Sequence, residues 1–226
     1  VVCEGALAIE SGRGRADAQI LEVIAPVDGA LCGAICGRSL VQAERELSLV
    51  ALIPTTVLSL TESVSEELAA ADPTLAAPVL SALLERSGDL LQRLVSREEP
   101  DVLRRVAGAL CYLADRVGVS CPVAPGCRIQ LAQATIAATA GLSRQTANRA
   151  LRQLQEWGFV RSERSMVCVL DRAALRILAD GGRPLHARVP AGPCKLRQPA
   201  ATLTCHPPST TVMPLLHMLG HRSSNG

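Results

Sequence analysis

Apolar positions along this chain change their period, and the changes mark its parts. Val1 to Ile9, Ile20 to Ile24 and Leu47 to Leu60 hold short apolar runs. Between them stand Ser11-Gly12-Arg13-Gly14-Arg15, Pro26-Val27-Asp28-Gly29, and the Gly and polar residues from Gly33 to Glu46. Short apolar runs bounded by turn-forming residues predict β-strands. From Asp72-Pro73 the pattern turns helical, with Asp as cap and Pro at the first helical position. Leu75, Val79, Leu83, Leu90, Leu91 and Leu94 then recur at near-heptad spacing up to about Arg97, and Leu80 and Leu84 widen the stripe. A seam of that length is either a core helix or one strand of a two-stranded coiled coil. A second helix is predicted from Pro100 to about Val117, with Val102, Leu103, Val106, Leu110, Leu113 and Val117 on one stripe.

The most specific pattern lies at residues 131–160, LAQATIAATAGLSRQTANRALRQLQEWGFV. It reads as two short helices around Ala140-Gly141-Leu142-Ser143, where Gly tolerates the positive φ of a tight turn and Ser143 is a good N-cap. At 100° per residue the second helix separates into two faces. Ala147, Ala150, Leu151 and Leu154 form one; Arg144, Gln145, Asn148, Arg149 and Arg152 form the other. That polar face carries no acid, and its side chains are those that read base edges, Arg on guanine and Gln or Asn on adenine. Such a face on an ordinary surface helix is merely solvated. Here it is followed by Glu156 to Arg161, a polar turn at Ser162-Glu163-Arg164-Ser165, and the apolar run Met166 to Asp171. Strand, turn and strand predict a β-hairpin wing beside a recognition helix, and double-stranded DNA as the partner.

Charge strengthens that expectation. The formal net charge is only +2, but residues 1–127 hold ten arginines against seventeen acids, and residues 128–180 hold eight arginines against four acids. Residues 181–226 carry five basic residues and no acid. The basic C-terminal half suits a phosphate backbone.

Gly141 to Leu154, followed by Trp157-Gly158-Phe159-Val160, resembles the winged helix-turn-helix of CRP/FNR-type bacterial transcription regulators. The resemblance implies an α+β protein: a β-roll sensor (a jelly-roll-like double-stranded β-helix), a long dimerisation helix and a winged helix-turn-helix. On this chain these parts would be residues 1–71, 72–98 and 99–180, followed by a disordered basic tail at 181–226. Glu4-Gly5-Ala6-Leu7, the Pro26-x-Asp28 turn and Arg45 to Leu60 are similar to the family's roll. The opening at Val1 inside a strand pattern leads us to expect a truncated roll lacking its first strands. By position, the family's base-reading Arg, Glu and Arg correspond to Arg144, Gln145 and Arg149. Gln145 in place of Glu exchanges a cytosine-type contact for an adenine-type one. Ala132-Gln133-Ala134-Thr135 departs from the family's Thr-Gln-Glu-Glu, and the missing cap and acids should cost about 1 kcal/mol locally. Gln133 is retained as a phosphate contact.

Cyclic-nucleotide-binding members hold their ligand with a Gly-Glu-Leu turn and an Arg-Ser pair. Gly33, Ala34, Arg45 and Glu46 stand at the corresponding positions. Ala34 lacks the ribose-contacting carboxylate, and Glu46 puts negative charge where phosphate would sit, so cyclic-nucleotide binding is disfavoured. The effector, a small molecule or a redox signal, is not legible.

Nine cysteines without a signal peptide point to free thiols in a reducing cytoplasm, with Cys111 and Cys168 on apolar faces as core residues. Cys3, Cys32 and Cys36 are candidates for a thiol or iron–sulfur sensor, though their spacing matches no metal signature. No metal site and no bound cofactor is expected. An enzyme is disfavoured: there is no phosphate loop, no GxSxG elbow and no HExxH, and all four histidines lie in the tail. No run approaches the ~20 apolar residues of a membrane span. The expected function is a homodimeric, effector-modulated regulator of transcription at a pseudo-palindromic operator, with RNA polymerase as a further partner. Two alternatives remain: a degenerate cyclic-nucleotide-binding-like module for oligomerisation or ligand binding without specific DNA binding, and the redox sensor.

Overall fold

The N-terminal apolar runs pair as short antiparallel strands: β1 (Val2–Glu4), β2 (Leu7–Ser11), β3 (Gln19–Ile24), β4 (Leu47–Ala51) and β5 (Thr56–Val57). The structure is a computed structural model and describes residues 2–12, 18–26, 47–58, 61–121, 126–163 and 165–184. β2 is the centre of a three-stranded sheet in the order β3-β2-β4, and β1 pairs separately with β5. The run expected from Val1 to Ile9 is split at Gly5, whose φ of 84° ends β1. Thr55 secures the bend, accepting from the Ala6 amide at 3.1 Å and donating to the Ile53 carbonyl at 2.6 Å.

A helix that the pattern did not announce follows, α1 (Glu62–Ala71), capped by Thr61. Asp72 then opens the long helix as expected, although the first turn, Pro73–Leu75, is 3₁₀ before α2 (Ala76–Glu98) begins. The Asp72 carboxylate accepts from the Thr74 amide at 3.0 Å. Along α2 the apolar side chains exposed to solvent are Leu80, Leu84, Leu91, Leu94 and Val95, at 57, 64, 64, 58 and 73%. Leu91 and Leu94 belong to the expected stripe, and Leu80 and Leu84 are the residues expected to widen it. The side chains of Leu75, Val79 and Leu83 lie outside the described residues.

α3 (Val102–Val117) begins at Asp101, whose carboxylate accepts from the Leu103 amide at 2.8 Å. Its stripe is sorted by depth: Val106, Leu110 and Leu113 are fully buried, while Val102, Leu103 and Val117 are half-buried. Around it are β6 (Gly118–Ser120), β7 (Cys127–Ile129), α4 (Gln133–Ala140), α5 (Arg144–Glu156), β8 (Val160–Glu163), β9 (Met166–Val169) and α6 (Arg172–Ala179). The expected wing is the hairpin β8-β9, and it is part of a four-stranded antiparallel sheet in the order β6-β7-β9-β8. Three-residue strands carry no readable alternation, so the sequence pattern does not predict β6 and β7.

A single core joins these parts. Ala8, Ile20 and Val23 of the first sheet belong to the same buried cluster as Leu110, Ile136, Leu151, Leu154, Phe159 and Leu175. Cys111 and Cys168 are buried as expected. Residues Val1–Pro193 form one unit, and Cys194–Gly226 form a second that lies outside the described residues. The disordered tail expected there lies outside them too, apart from residues 181–184. Among the described residues no helix is long and apolar enough to cross a membrane.

Phe159 is fully buried where α5, the wing and α3 meet, and Trp157 packs edge-on against its ring at 5.8 Å between centroids. Phe159→Ala should therefore destabilise the protein by about 3–5 kcal/mol, read as a lower urea midpoint at unchanged slope.

Candidate nucleic-acid interface

The turn between α4 and α5 is fixed from both sides. Gly141 adopts the left-handed conformation (φ 63°, ψ 38°), and the Leu142 amide donates back to Ala137 at 2.9 Å, closing the end of α4. From α3, the Arg105 guanidinium donates to the Ala140 and Gly141 carbonyls at 2.9 and 2.8 Å. α4 starts at Ala132 with no side-chain cap, as expected from the missing Thr. α5 starts at Ser143, whose Oγ accepts from the Thr146 amide at 3.1 Å.

The two faces of α5 are those the spacing predicts. Ala147, Ala150, Leu151 and Leu154 are buried, while Arg144, Gln145, Arg149 and Arg152 are exposed. Among the described residues no carboxylate lies within ion-pair distance of Arg144, Arg149 or Arg152. Three guanidinium groups without acidic partners are available to an external anion, the electrostatic condition for binding a nucleic-acid backbone.

Asn148 stands apart from that face. It is half-buried, and its Oδ1 is enclosed with no hydrogen-bond partner. With Gln133, Leu151, Arg152, Gln155 and Ser162 it lines a cleft of about 210 Å³ between α5, the start of α4 and the wing. Gln133 likewise turns inward, donating from Nε2 to Ser162 Oγ at 2.9 Å and to the Glu163 carbonyl at 3.4 Å. Gln155 Oε1 accepts from the Ser162 amide at 2.9 Å. A polar strut thus ties both helices of the helix-turn-helix to the first strand of the wing. Gln155 and Ser162 were not singled out from the sequence, because their roles depend on a contact between segments that the helical wheel does not place together.

Gly33, Ala34, Arg45 and Glu46, the candidate effector positions, lie outside the described residues, as do Cys32 and Cys36. Cys3 is exposed with a free thiol. Burial pushes the thiols of Cys111 and Cys127 above the usual range, so they stay protonated and weakly nucleophilic. Among the described residues no group of three or more His, Cys, Asp or Glu is placed to hold a metal ion.

This arrangement, a short helical hairpin with a two-stranded wing against a supporting helix, defines the winged helix-turn-helix class. Residues 104–178 match the family described as the Crp-like helix-turn-helix domain. A transcriptional regulator of the CRP/FNR family from Thermus thermophilus superposes with a TM-score of 0.62 at 20% identity, covering 79% of this chain and 86% of that one. A CRP-family transcriptional regulator from the same organism gives 0.59 at 18% identity, covering 82% and 89%. FixK2 from Bradyrhizobium japonicum gives 0.58 at 21% identity, covering 78% and 84%. No curated protein sequence matches. The chain carries a Crp-like helix-turn-helix domain within a fold of the CRP/FNR type.

The strut predicts a local effect. Gln155→Ala removes the acceptor of the Ser162 amide, so exchange of that amide should quicken while the buried amides of α5 keep theirs. The global cost should be about 0.5–1.5 kcal/mol, measured by hydrogen exchange with mass or NMR detection.

Proposed function

We propose that this protein is a DNA-binding regulator of transcription that acts as a cytoplasmic homodimer on a pseudo-palindromic operator. The observation that carries the proposal is the outward face of α5: Arg144, Gln145, Arg149 and Arg152 are exposed, and among the described residues the three guanidinium groups lack acidic partners, on a helix locked by its buried side. Arg144 and Arg149 suit guanine edges and Gln145 suits adenine. Ser143 caps the helix and brings its N-terminus near a phosphate. Gln133 and Asn148, drawn toward the wing, fit a backbone-positioning role better than base reading.

Dimerisation is supported by the exposed leucines of α2. Large apolar side chains at coiled-coil spacing are unfavourable in water and call for a cover, and a second copy of the same helix supplies a self-complementary one. Two such protomers present two recognition helices to successive major grooves, about 34 Å apart. Operator affinity would be modulated by an effector and read out through RNA polymerase.

Sequencing of random duplexes retained by the protein at physiological salt tests the function. The expected product is an inverted repeat with half-site centres one helical turn apart; retention of unenriched DNA would overturn the proposal. On the selected operator, Arg149→Ala should cost about 1–3 kcal/mol per half-site and relax preference at one base pair. Gln133→Ala should weaken operator and scrambled DNA alike. Leu91→Glu should yield folded monomers in sedimentation velocity, since Leu91 is 64% exposed in the single chain, and should lose the inverted-repeat preference.

A further inference from the structure

A cleft of about 730 Å³ opens where β3, the C-terminal half of α2, α3, the end of α4 and α6 meet. That volume lies within the range of small-molecule sites. Its walls carry both signs of charge, but the signs are not evenly matched. Glu22 holds Arg86 in a two-pronged pair at 2.6 Å, Asp89 holds Arg116 at 2.5 Å, Glu99 lies 3.6 Å from Arg104, and Asp115 pairs with Arg172 and Arg176. Asp180 stands exposed at the α6 rim.

Among the described residues, three half-buried guanidinium groups have no carboxylate within ion-pair distance: Arg93, Arg97 and Arg105. Their hydrogen bonds all go to neutral groups, although the charge of Glu22 also acts on Arg93. Arg93 donates to the carbonyls of Ile20 and Leu21 and stacks over the Tyr112 ring at 4.0 Å. Arg97 donates to the Ile20 carbonyl, and Arg105 to those of Ala140 and Gly141. Burial depresses the basicity of Arg97, and the charges of Arg93 and Arg105 depress it further. Dipoles offset part of that repulsion; a multiply charged anion would offset far more, because guanidinium–phosphate bonds are charge-assisted and two-pronged.

We infer that this cleft binds a small anion of the diphosphate class, held by Arg93, Arg97 and Arg105. Such a ligand would serve as the effector of the regulator proposed above, and from that reading it takes only the idea that the helix-turn-helix answers a signal. The coupling is direct. Arg93 and Arg97 hold the edge of β3, and Arg105 holds the turn that sets α5. An anion drawing these groups to itself changes the grip on both, biasing the angle of the recognition helix. The diphosphate could be free or part of a nucleotide, and the cleft has room for either.

Calorimetric titration of the full chain with inorganic pyrophosphate, a nucleoside diphosphate and sulfate, at matched ionic strength, tests the inference. The expected result is saturable binding of one diphosphate per chain with sulfate at least tenfold weaker. Binding of the nucleotide alone places its nucleoside in the remaining volume and supports the site; equal heats for sulfate and both diphosphates overturn it. Arg97→Gln and Arg105→Gln should each weaken binding tenfold or more, whereas Arg149→Gln, expected to impair operator binding, should leave it intact. Parent-like titration of both cleft variants, or loss in Arg149→Gln alone, would place the anion elsewhere. Hydrogen exchange on the unaltered protein guards against variants that fail to fold. Pyrophosphate should change protection at Ile20 to Val23 and Ala140 to Leu142, and a change confined to α5 would overturn the assignment. The operator selection is run without diphosphate, so its outcome stands separately.

Discussion

The buried face of α3 is the constraint on which the other elements depend. Val106, Leu110 and Leu113 are inaccessible to water, and the sheet strand β3, the helix pair α4–α5 and helix α6 all pack around them. Small aliphatic residues dominate this core: the chain has one Phe, one Tyr and one Trp, and Ala107, Ala109 and Ala114 occupy positions that larger side chains would fill elsewhere. The consequence is low tolerance for enlargement, since interiors packed at crystal-like density have no slack to accept extra methylenes.

Polar groups supply the direction that such a core lacks. Each junction around α3 is fixed by a side chain bonded to backbone: Arg105 to the α4–α5 turn, Tyr112 to Val23, and Arg104 to the Gly181 carbonyl at 3.3 Å. Tyr112 accepts from the Val23 amide at 2.8 Å, and burial pushes its hydroxyl above the usual tyrosine range, against the opposing charge of Arg93. The group thus keeps its proton and its place on the edge of β3. That edge would otherwise present unpaired backbone groups; Arg93, Arg97 and Tyr112 cover part of it with side chains instead of another strand.

What was legible in the sequence was local and periodic. The two faces of α5, the Gly141 turn, the Ser143 cap, the Asp72 start and the wing hairpin all follow from spacing within about a dozen residues. The missing cap at Ala132 was legible for the same reason. α1 and α6 are not legible in the sequence although Thr61 and Asp171 are good caps, because their apolar stripes are too short to stand out from neighbouring apolar runs. β6 and β7 have three residues each and become strands only through pairing, β7 with β9 and β6 with β7. The inward turn of Asn148 shows the limit of the helical wheel. Its angular position is correct, but its depth is set by a wing strand that the wheel does not contain. The arginine cleft was beyond local reading altogether, since Arg93 and Leu21 are distant in sequence and meet only through the fold.

The scarcity of aromatic residues has an optical corollary. Trp157 is the sole indole, placed at the C-cap of α5 and edge-on to Phe159, and Tyr112 is the sole phenol, lodged between β3 and Arg93. Near-ultraviolet emission from this protein therefore comes from one site at the base of the wing, and the phenol signal from one site beside the sheet. The chain carries a separate spectroscopic address for each of the two junctions that a signal would have to cross, with no label added.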